Sequence, residues 1–562
     1  MIATISKAKT GIIRTDFVSY SNRAGLRLAA CLDHSGELRD RPWVIVAPKY
    51  GETKKSNLHL AYHLAANGLN VLRFDHTNHV GESEGPMLDF VLPGAVEDVT
   101  ASLNFLTANF GVDRVVIIAN SLSARCALRA AAQDPRVVKF ISVAGVVNLL
   151  ATMTEIYRED ILGQYRQGRR WGITNFLGLE LHGDVFLDTL IQSGLHDLAG
   201  TITDVEKLQV PLVWFYAERD TWVRRDEVER VVASNSQARL VLVEAAMHEV
   251  RENPRAAEQL FLEIIWSCLE DSPCPADVAG KLAVPNKKLL IEQNRRERER
   301  LRRADAPTES ETDFWSGYLQ KYSILERSSD YQEYLRLVGR LCGPVRPGAA
   351  VLDAGCGTGL FGVWVLHEAW KSGELSSLTE PVVYVGLDLT ERGLTDAMAK
   401  HLTVRQAVPP GVMPGLQYSL VDFDLLDGEK PGGRGLPFLA GTFDLICCSL
   451  VLSYLKRPQV LLRELHRVLR PGGILVTSSM KPHCDLSVIY RDSISSQVTV
   501  EEIDAGRNLL RAAGKIKLKE EIGHYAFFSQ NELATLVGDA GFKLSESHLS
   551  LGEQAVVVKA TK

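Results

Sequence analysis

Two groups of residues in this chain have the types and the order that bond-making chemistry requires. The first is Ser121, Asp220 and His248. A serine hydroxyl attacks a carbonyl carbon only when a base takes its proton. A histidine supplies that base, and a carboxylate orients the ring and stabilises its cation. Ala119-Asn120-Ser121-Leu122-Ser123 follows an apolar run and sets small residues two places either side of the serine. A sharp strand-to-helix turn of that kind lifts the hydroxyl above a sheet, and the acid and the histidine then follow in that order. Backbone N–H groups must also receive the oxyanion. Leu122 is one expected donor, and Tyr50, in Pro48-Lys49-Tyr50-Gly51, is the other.

The second group is Asp353, Gly355, Gly357 and Gly359, in Asp353-Ala-Gly-Cys-Gly-Thr-Gly359. Glycines remove the Cβ atoms that block close backbone approach, and a helix starting near Leu360 can receive a carboxylate. Gly-x-Gly-x-Gly after an acid favours S-adenosylmethionine over the related dinucleotide pattern. Asp388 ends the next apolar run, where it can accept both ribose hydroxyls. Asp422 can meet the adenine amino group, Phe423 can cover the ring, and Ser449 follows a further run, Phe443–Ser449. Candidate acceptor-site residues lie later: Met480, Lys481, His483, Asp485, Tyr490 and Arg491. Of these, His483 is a candidate base for a hydroxyl acceptor, and Arg491 a candidate partner for a carboxylate.

These residues need elements to hold them. Strand candidates in the first half are Trp43–Ala47, Asn70–Phe74, Arg114–Ala119, Lys139–Ala144, Val210–Tyr216 and Arg239–Val243. They are nearly continuous in Val and Ile, as parallel strands buried on both faces are. The alternation lapses between about 146 and 208, which suggests an inserted helical cap. It resumes with Ala350–Asp353, Val382–Asp388, Leu416–Leu420, Phe443–Ser449 and Ile474–Ser478. Two late runs, His524–Phe528 and Gln554–Ala560, are expected to form an antiparallel hairpin. The fold class is therefore α/β, with two doubly wound domains in series. Domain limits are expected at 1–268 and 315–562, with a linker at 269–314. Asn286–Arg303 in that linker carries eight basic and three acidic side chains, and its expected form is a solvated charged helix.

At 562 residues the chain exceeds what one core supports. A net charge of −6 argues against a general nucleic-acid binder. No apolar stretch is long enough to span a bilayer, and Met1–Thr10 lacks the apolar segment of a secretory signal. Nine cysteines without a Cys-x-x-Cys pair give no zinc spacing. The expectation is a cytoplasmic protein with no metal, no nucleic-acid partner and no membrane span.

Ser121-Leu-Ser-Ala-Arg125, Gly145-Val-Val-Asn-Leu149, Leu181-His-Gly-Asp-Val-Phe186 and Asp220-Thr-Trp-Val223 resemble the acyl transferase of bacterial bioluminescence. The resemblance covers about residues 10 to 268. It implies an α/β-hydrolase fold with a helical cap and a Ser–Asp–His triad at Ser121, Asp220 and His248. It also implies cleavage of an acyl thioester. Lys49 departs from the family, which has glycine there. Residues from about 315 onward resemble class I S-adenosylmethionine-dependent methyltransferases, and Arg467-Val-Leu-Arg-Pro-Gly-Gly473 is like the branch that methylates small molecules, quinones and lipids.

The reading that follows is bifunctional. A serine acyl transferase or thioesterase takes a small-molecule acyl substrate, carried on acyl carrier protein or coenzyme A, and is fused to a methyltransferase for an acyl, lipid or polyketide-like molecule. The alternatives are a non-catalytic acyl-binding module or a carboxylesterase in the first half.

Overall fold

In the computed structural model the described residues are 12–36, 38, 41–275, 280–304, 309–320, 322–374, 381–407, 414–427, 433–485 and 500–562. They divide into two compact units, residues 1–306 with 513–523, and residues 307–512 with 524–562.

The first unit is built on eight strands: β1 (Arg14–Ser21), β2 (Arg27–His34), β3 (Trp43–Ala47), β4 (Asn70–Phe74), β5 (Val115–Asn120), β6 (Val137–Val143), β9 (Leu212–Ala217) and β10 (Ala238–Val243). The sheet order is β1-β2-β4-β3-β5-β6-β9-β10. The pairings β1/β2 and β2/β4 are antiparallel, and the rest are parallel. β3, β4 and β9 are buried along their whole length, which is why their sequences read as unbroken apolar runs. β1 lies at the edge with five of its eight residues exposed, so it has no such run.

Between β6 and β9 the cap contains helices Leu149–Tyr157, Ile161–Arg166, Gly183–Gln192 and Leu198–Lys207. It also contains a hairpin, β7 (Ile173–Phe176) with β8 (Leu179–His182), so it is not wholly helical.

The charged helix forms at Lys287–Ala304, but one face of it is not solvated. Leu290, Gln293, Glu297 and Leu301 are buried at helical spacing. Glu297 explains the difference, because its carboxylate receives Arg73 Nη1 at 2.6 Å and Nη2 at 2.7 Å. Arg73 Nε also donates to Asp33 at 2.6 Å, and all three side chains are withdrawn from water. A buried guanidinium needs these partners, and a count of charges along the helix does not reveal that one of them is inside.

The second unit holds β11 (Ala350–Ala354), β12 (Val383–Asp388), β13 (Gly415–Leu420), β14 (Phe443–Cys448), β15 (Leu469–Met480), β16 (Lys543–Ser550) and β17 (Ala555–Thr561). Their order is β13-β12-β11-β14-β15-β17-β16. The first five are parallel, and β17 joins β15 and β16 antiparallel. The closing hairpin is therefore β16–β17, and His524–Phe528 is not one of its strands. Tyr525 and Phe527 are buried in a loop, and the capping box at Ser529 and Glu532 then starts helix Gln530–Asp539. β16 (Lys-Leu-Ser-Glu-Ser-His-Leu-Ser) is a largely exposed edge strand without an apolar run.

Glu297→Ala leaves buried Arg73 with a single carboxylate partner, Asp33, and should destabilise the first unit by about 3 kcal/mol. Exposed Glu299→Ala on the same helix should change it by less than about 0.5 kcal/mol. Urea unfolding of the two variants checks the difference.

Candidate functional site

β5 runs straight into helix Ser121–Gln133, and the turn between them is made at Ser121 itself. Ser121 has φ +51°, in the left-handed region that a non-glycine residue occupies at a cost of about 1–3 kcal/mol. Two contacts brace the turn. The Ser121 carbonyl accepts from Val146 N at 3.1 Å, and Ser123 Oγ donates to the Pro48 carbonyl at 2.5 Å. Ala119 and Ser123, the small flanking residues, are both buried.

The structure brings Ser121, His248 and Asp220 together. Ser121 Oγ lies 2.8 Å from His248 Nε2, and His248 Nδ1 lies 2.8 Å from Asp220 Oδ2. Asp220 Oδ1 accepts from Trp222 N at 2.8 Å and Val223 N at 3.1 Å, so the loop after β9 fixes the carboxylate. The Trp222 ring stacks on His248 with centroids 4.7 Å apart and planes 13° from parallel. The run Asp220–Val223 held this tryptophan in plain view, but spacing alone gave it no role.

Leu122 opens the helix after Ser121, where its N–H is among those without a helical carbonyl partner. Tyr50 lies in the loop after β3, and that loop is held from several sides. Gly51 N donates to His79 Nε2 at 3.1 Å. Burial, with His76 beside it, lowers the His79 pKa to about 3, so the ring is neutral and can accept. The Tyr50 hydroxyl donates to the Phe176 carbonyl in the cap at 3.0 Å, and its ring packs on Phe90 and Phe176. His79 and Phe176 carried no sequence signal, because neither belongs to a motif. A small cavity beside Ser121 and His248 is lined further by Lys49, Asn57, Val250 and Phe261.

In the second unit, Asp353 is the penultimate residue of β11, and Gly355, Gly357 and Gly359 form the loop into helix Leu360–Glu374. Gly355 has φ +86°, and a Cβ there would lie 2.2 Å from Val451. Gly359 has φ +82°, and a Cβ would sit 2.7 Å from Ala397 and from His401 Nε2. No other residue fits either position. Asp388, at the end of β12, accepts from Gly357 N at 2.8 Å through Oδ2 and from Thr390 through Oδ1. Oδ2 keeps a second acceptor site, whereas Oδ1 already takes both the N–H and the hydroxyl of Thr390.

Asp422 caps the short helix Phe423–Leu425, and Phe423 is buried. Ser449 Oγ hydrogen-bonds Tyr334 Oη at 2.5 Å, and Tyr334 reaches Ser478 Oγ at 2.6 Å. Tyr334 comes from helix Ser329–Cys342, ahead of the glycine loop and outside any motif, so nothing in its spacing pointed to it. His483 lies in the turn after β15 with φ +57°. Lys481 N and Asp485 N of that turn donate to Gln554. Tyr490 and Arg491 lie outside the described residues.

The glycine loop at the mouth of β11 and the acid at the end of β12 fit S-adenosylmethionine. The loop permits close backbone approach, and Asp388 Oδ2 can take a ribose hydroxyl. Asp353 sits deeper, where Oδ2 accepts from Tyr384 Oη at 2.8 Å. That hydrogen bond ties β11 to β12 beneath the glycine loop.

Among the described residues no group of His, Cys, Asp and Glu could hold a metal ion, and no helix is long and apolar enough to cross a membrane.

Residues 34–262 match the acyl transferase family model, and residues 326–547 match a methyltransferase domain model. An acyl transferase of Photobacterium phosphoreum is 29% identical over 212 residues, covering 37% of this chain and 69% of that protein. One from Photobacterium leiognathi is 25% identical over 271 residues, covering 48% of this chain and 88% of that protein. An esterase of Pyrococcus furiosus of known structure is 17% identical, covering 45% of this chain and 91% of that one, with a TM-score of 0.34. The methyltransferase match implies methylation dependent on S-adenosylmethionine.

Burial drives the Asp353 pKa up to about 7, with Asp388 adding to the rise and Tyr384 opposing it. The folded unit therefore keeps a proton that the unfolded chain loses near pH 4. Stability should fall as pH rises from about 4 to about 7 and stay low above that. Asp353→Asn should remove this slope. Its melting temperature should exceed that of the unsubstituted chain at pH 8, and the two should converge toward pH 4 in thermal melts.

Proposed function

We propose that this chain moves an acyl group through Ser121 and methylates a small acyl-derived molecule, a reading supported by the acyl transferase match over residues 34–262 and the methyltransferase match over residues 326–547. The observation that carries the first half is the hydrogen-bonded line from Ser121 Oγ through His248 to Asp220, with 2.8 Å at each step.

The donor is an acyl thioester, carried on acyl carrier protein or coenzyme A. His248 Nε2 takes the Ser121 proton as Oγ bonds to the thioester carbon. The N–H groups of Leu122 and Tyr50 receive the oxyanion, and each such donor contributes a rate factor of about 10² to 10³. The C–S bond breaks, and His248 returns the proton to the leaving thiolate. Water or another nucleophile then gives its proton to His248 and bonds to the acyl carbon; the bond from that carbon to Ser121 Oγ breaks, and His248 returns the proton to Oγ. Asp220 stays ionised throughout and stabilises the imidazolium through Nδ1. Trp222 covers one ring face and helps keep Nε2 aimed at Oγ.

In the second half, Gly355, Gly357, Gly359 and Asp388 would hold S-adenosylmethionine, with Asp422 and Phe423 at the adenine end. When bound, it supplies a methyl group activated on a sulfonium. The protein's contribution is to align the acceptor with that methyl, a positional effect that can account for much of the rate. A carboxylate freed from Ser121 needs no base to accept a methyl group. Acyl release followed by methyl-ester formation is therefore the most economical joint reaction.

Ser121→Ala should abolish thiol release from acyl thioesters and leave binding of S-adenosylmethionine unchanged. Asp388→Asn should weaken that binding in calorimetry by about tenfold or more and leave thiol release unchanged, since a lost charged hydrogen bond costs about 1.5–3 kcal/mol. The intact protein, given an acyl thioester and methyl-labelled donor, should place label in an acyl product. Thiol release that is unchanged in Ser121→Ala would overturn Ser121 as the nucleophile, and no thiol release from the unsubstituted chain would make the first domain a binding module. Absence of label from every acyl product would separate the two activities.

A further inference from the structure

The loop after β3 and the loop that carries His248 are joined by four charged side chains that the reaction steps above do not use. Lys49 Nζ pairs with Glu249, the neighbour of His248, and lies 3.3 Å from Glu52 Oε1. Arg251 Nε donates to Glu249 Oε1 at 2.6 Å, and Nη2 donates to Glu249 Oε2 at 2.9 Å. Nη2 also pairs with Glu52, and Nη1 donates to the Ser56 carbonyl at 2.8 Å. Two cations and two carboxylates balance. Their side chains are only 8–18% exposed, so solvent and salt screen them little.

The placement is informative. Lys49 and Glu52 flank Tyr50 and Gly51, the stretch that carries an oxyanion donor. Glu249 and Arg251 follow the base at positions one and three. Each cation already faces two carboxylates, which leaves neither poised to take a substrate anion. Catalysis, by contrast, is sensitive to the distance between an oxyanion donor and the base, and a shift of about 1 Å can cost 10²-fold.

We propose that Lys49, Glu52, Glu249 and Arg251 form one positioning clamp that holds the Tyr50 N–H at a fixed distance from His248. This rests on the acyl-serine reading and adds to it the groups that set the geometry between oxyanion donor and proton acceptor. It also gives Lys49 a purpose. A side chain at that position lets the loop be tied to Glu249.

The test uses the full chain with Lys49→Met, Glu249→Gln, the double variant and Lys49→Arg. Thiol release from a medium-chain acyl-coenzyme A gives kcat and KM. A fluorophosphonate that labels Ser121 counts competent sites, so misfolded protein does not enter kcat. Lys49→Met and Glu249→Gln should each lower kcat about 10- to 100-fold with KM unchanged. The double variant should be no slower than the slower single, because both remove the same link. Lys49→Arg should restore most of the rate. Unchanged kcat per labelled site, single losses that multiply in the double variant, or failure of Lys49→Arg to recover would each overturn the clamp alone. No thiol release and no Ser121 label in the unsubstituted chain would overturn the acyl-serine reading, and the clamp with it.

Discussion

The left-handed backbone at Ser121 is the constraint around which the first unit is arranged. A φ of +51° at serine is a local cost of about 1–3 kcal/mol, and it persists only where the surroundings leave no alternative. β5 is fixed between β3 and β6 and enters the turn without slack. Val146 N holds the Ser121 carbonyl, and Ser123 Oγ holds Pro48 from behind. A helical φ at this residue would carry Oγ away from His248 Nε2, and the alignment with Asp220 would have nothing to act on. The supports of the loop after β3, His79 under Gly51 and Tyr50 on Phe176, make sense only if that one hydroxyl is held in place.

The second unit meets a different requirement with the same architecture. Both sheets gather their chemistry at the carboxyl ends of parallel strands, where loops are free to vary and helix N-termini converge. On the proposed reactions, the first unit activates a group of its own, with strain at Ser121 and aligned proton carriers, and the second admits a ligand that brings its own reactivity, with glycines in place of side chains. Its glycines serve close approach, and Asp388 ties the glycine loop to the end of β12 through Gly357 N. Asp353, buried and protonated more readily than an ordinary carboxyl, supports this arrangement from inside the sheet.

The sequence disclosed what repeats or what must be one residue type. Buried parallel strands such as β3 and β4 announced themselves as apolar runs, and the order serine, acid, histidine followed from the sheet they build. β16 gave no such sign, because an exposed edge strand has no apolar run, and the apolar segment Tyr525–Phe527 drew the eye instead. The inward face of helix Lys287–Ala304 was hidden for a related reason. Glu297 looks like any solvent-facing acid until Arg73, 224 residues away in sequence, appears opposite it. Trp222, His79 and Tyr334 escaped because their roles depend on which loop folds beside which, not on spacing along the chain.

The proposed function requires covalent acyl chemistry at one hydroxyl, that of Ser121. Intact-protein mass spectrometry after brief exposure to an acyl thioester, followed by peptide mapping, measures this directly. The prediction is a mass increase of one acyl group, located on the peptide that contains Ser121 and discharged with time. Thioester turnover without any acyl adduct on that peptide, or an adduct on another residue that turns over at the same rate, would contradict it.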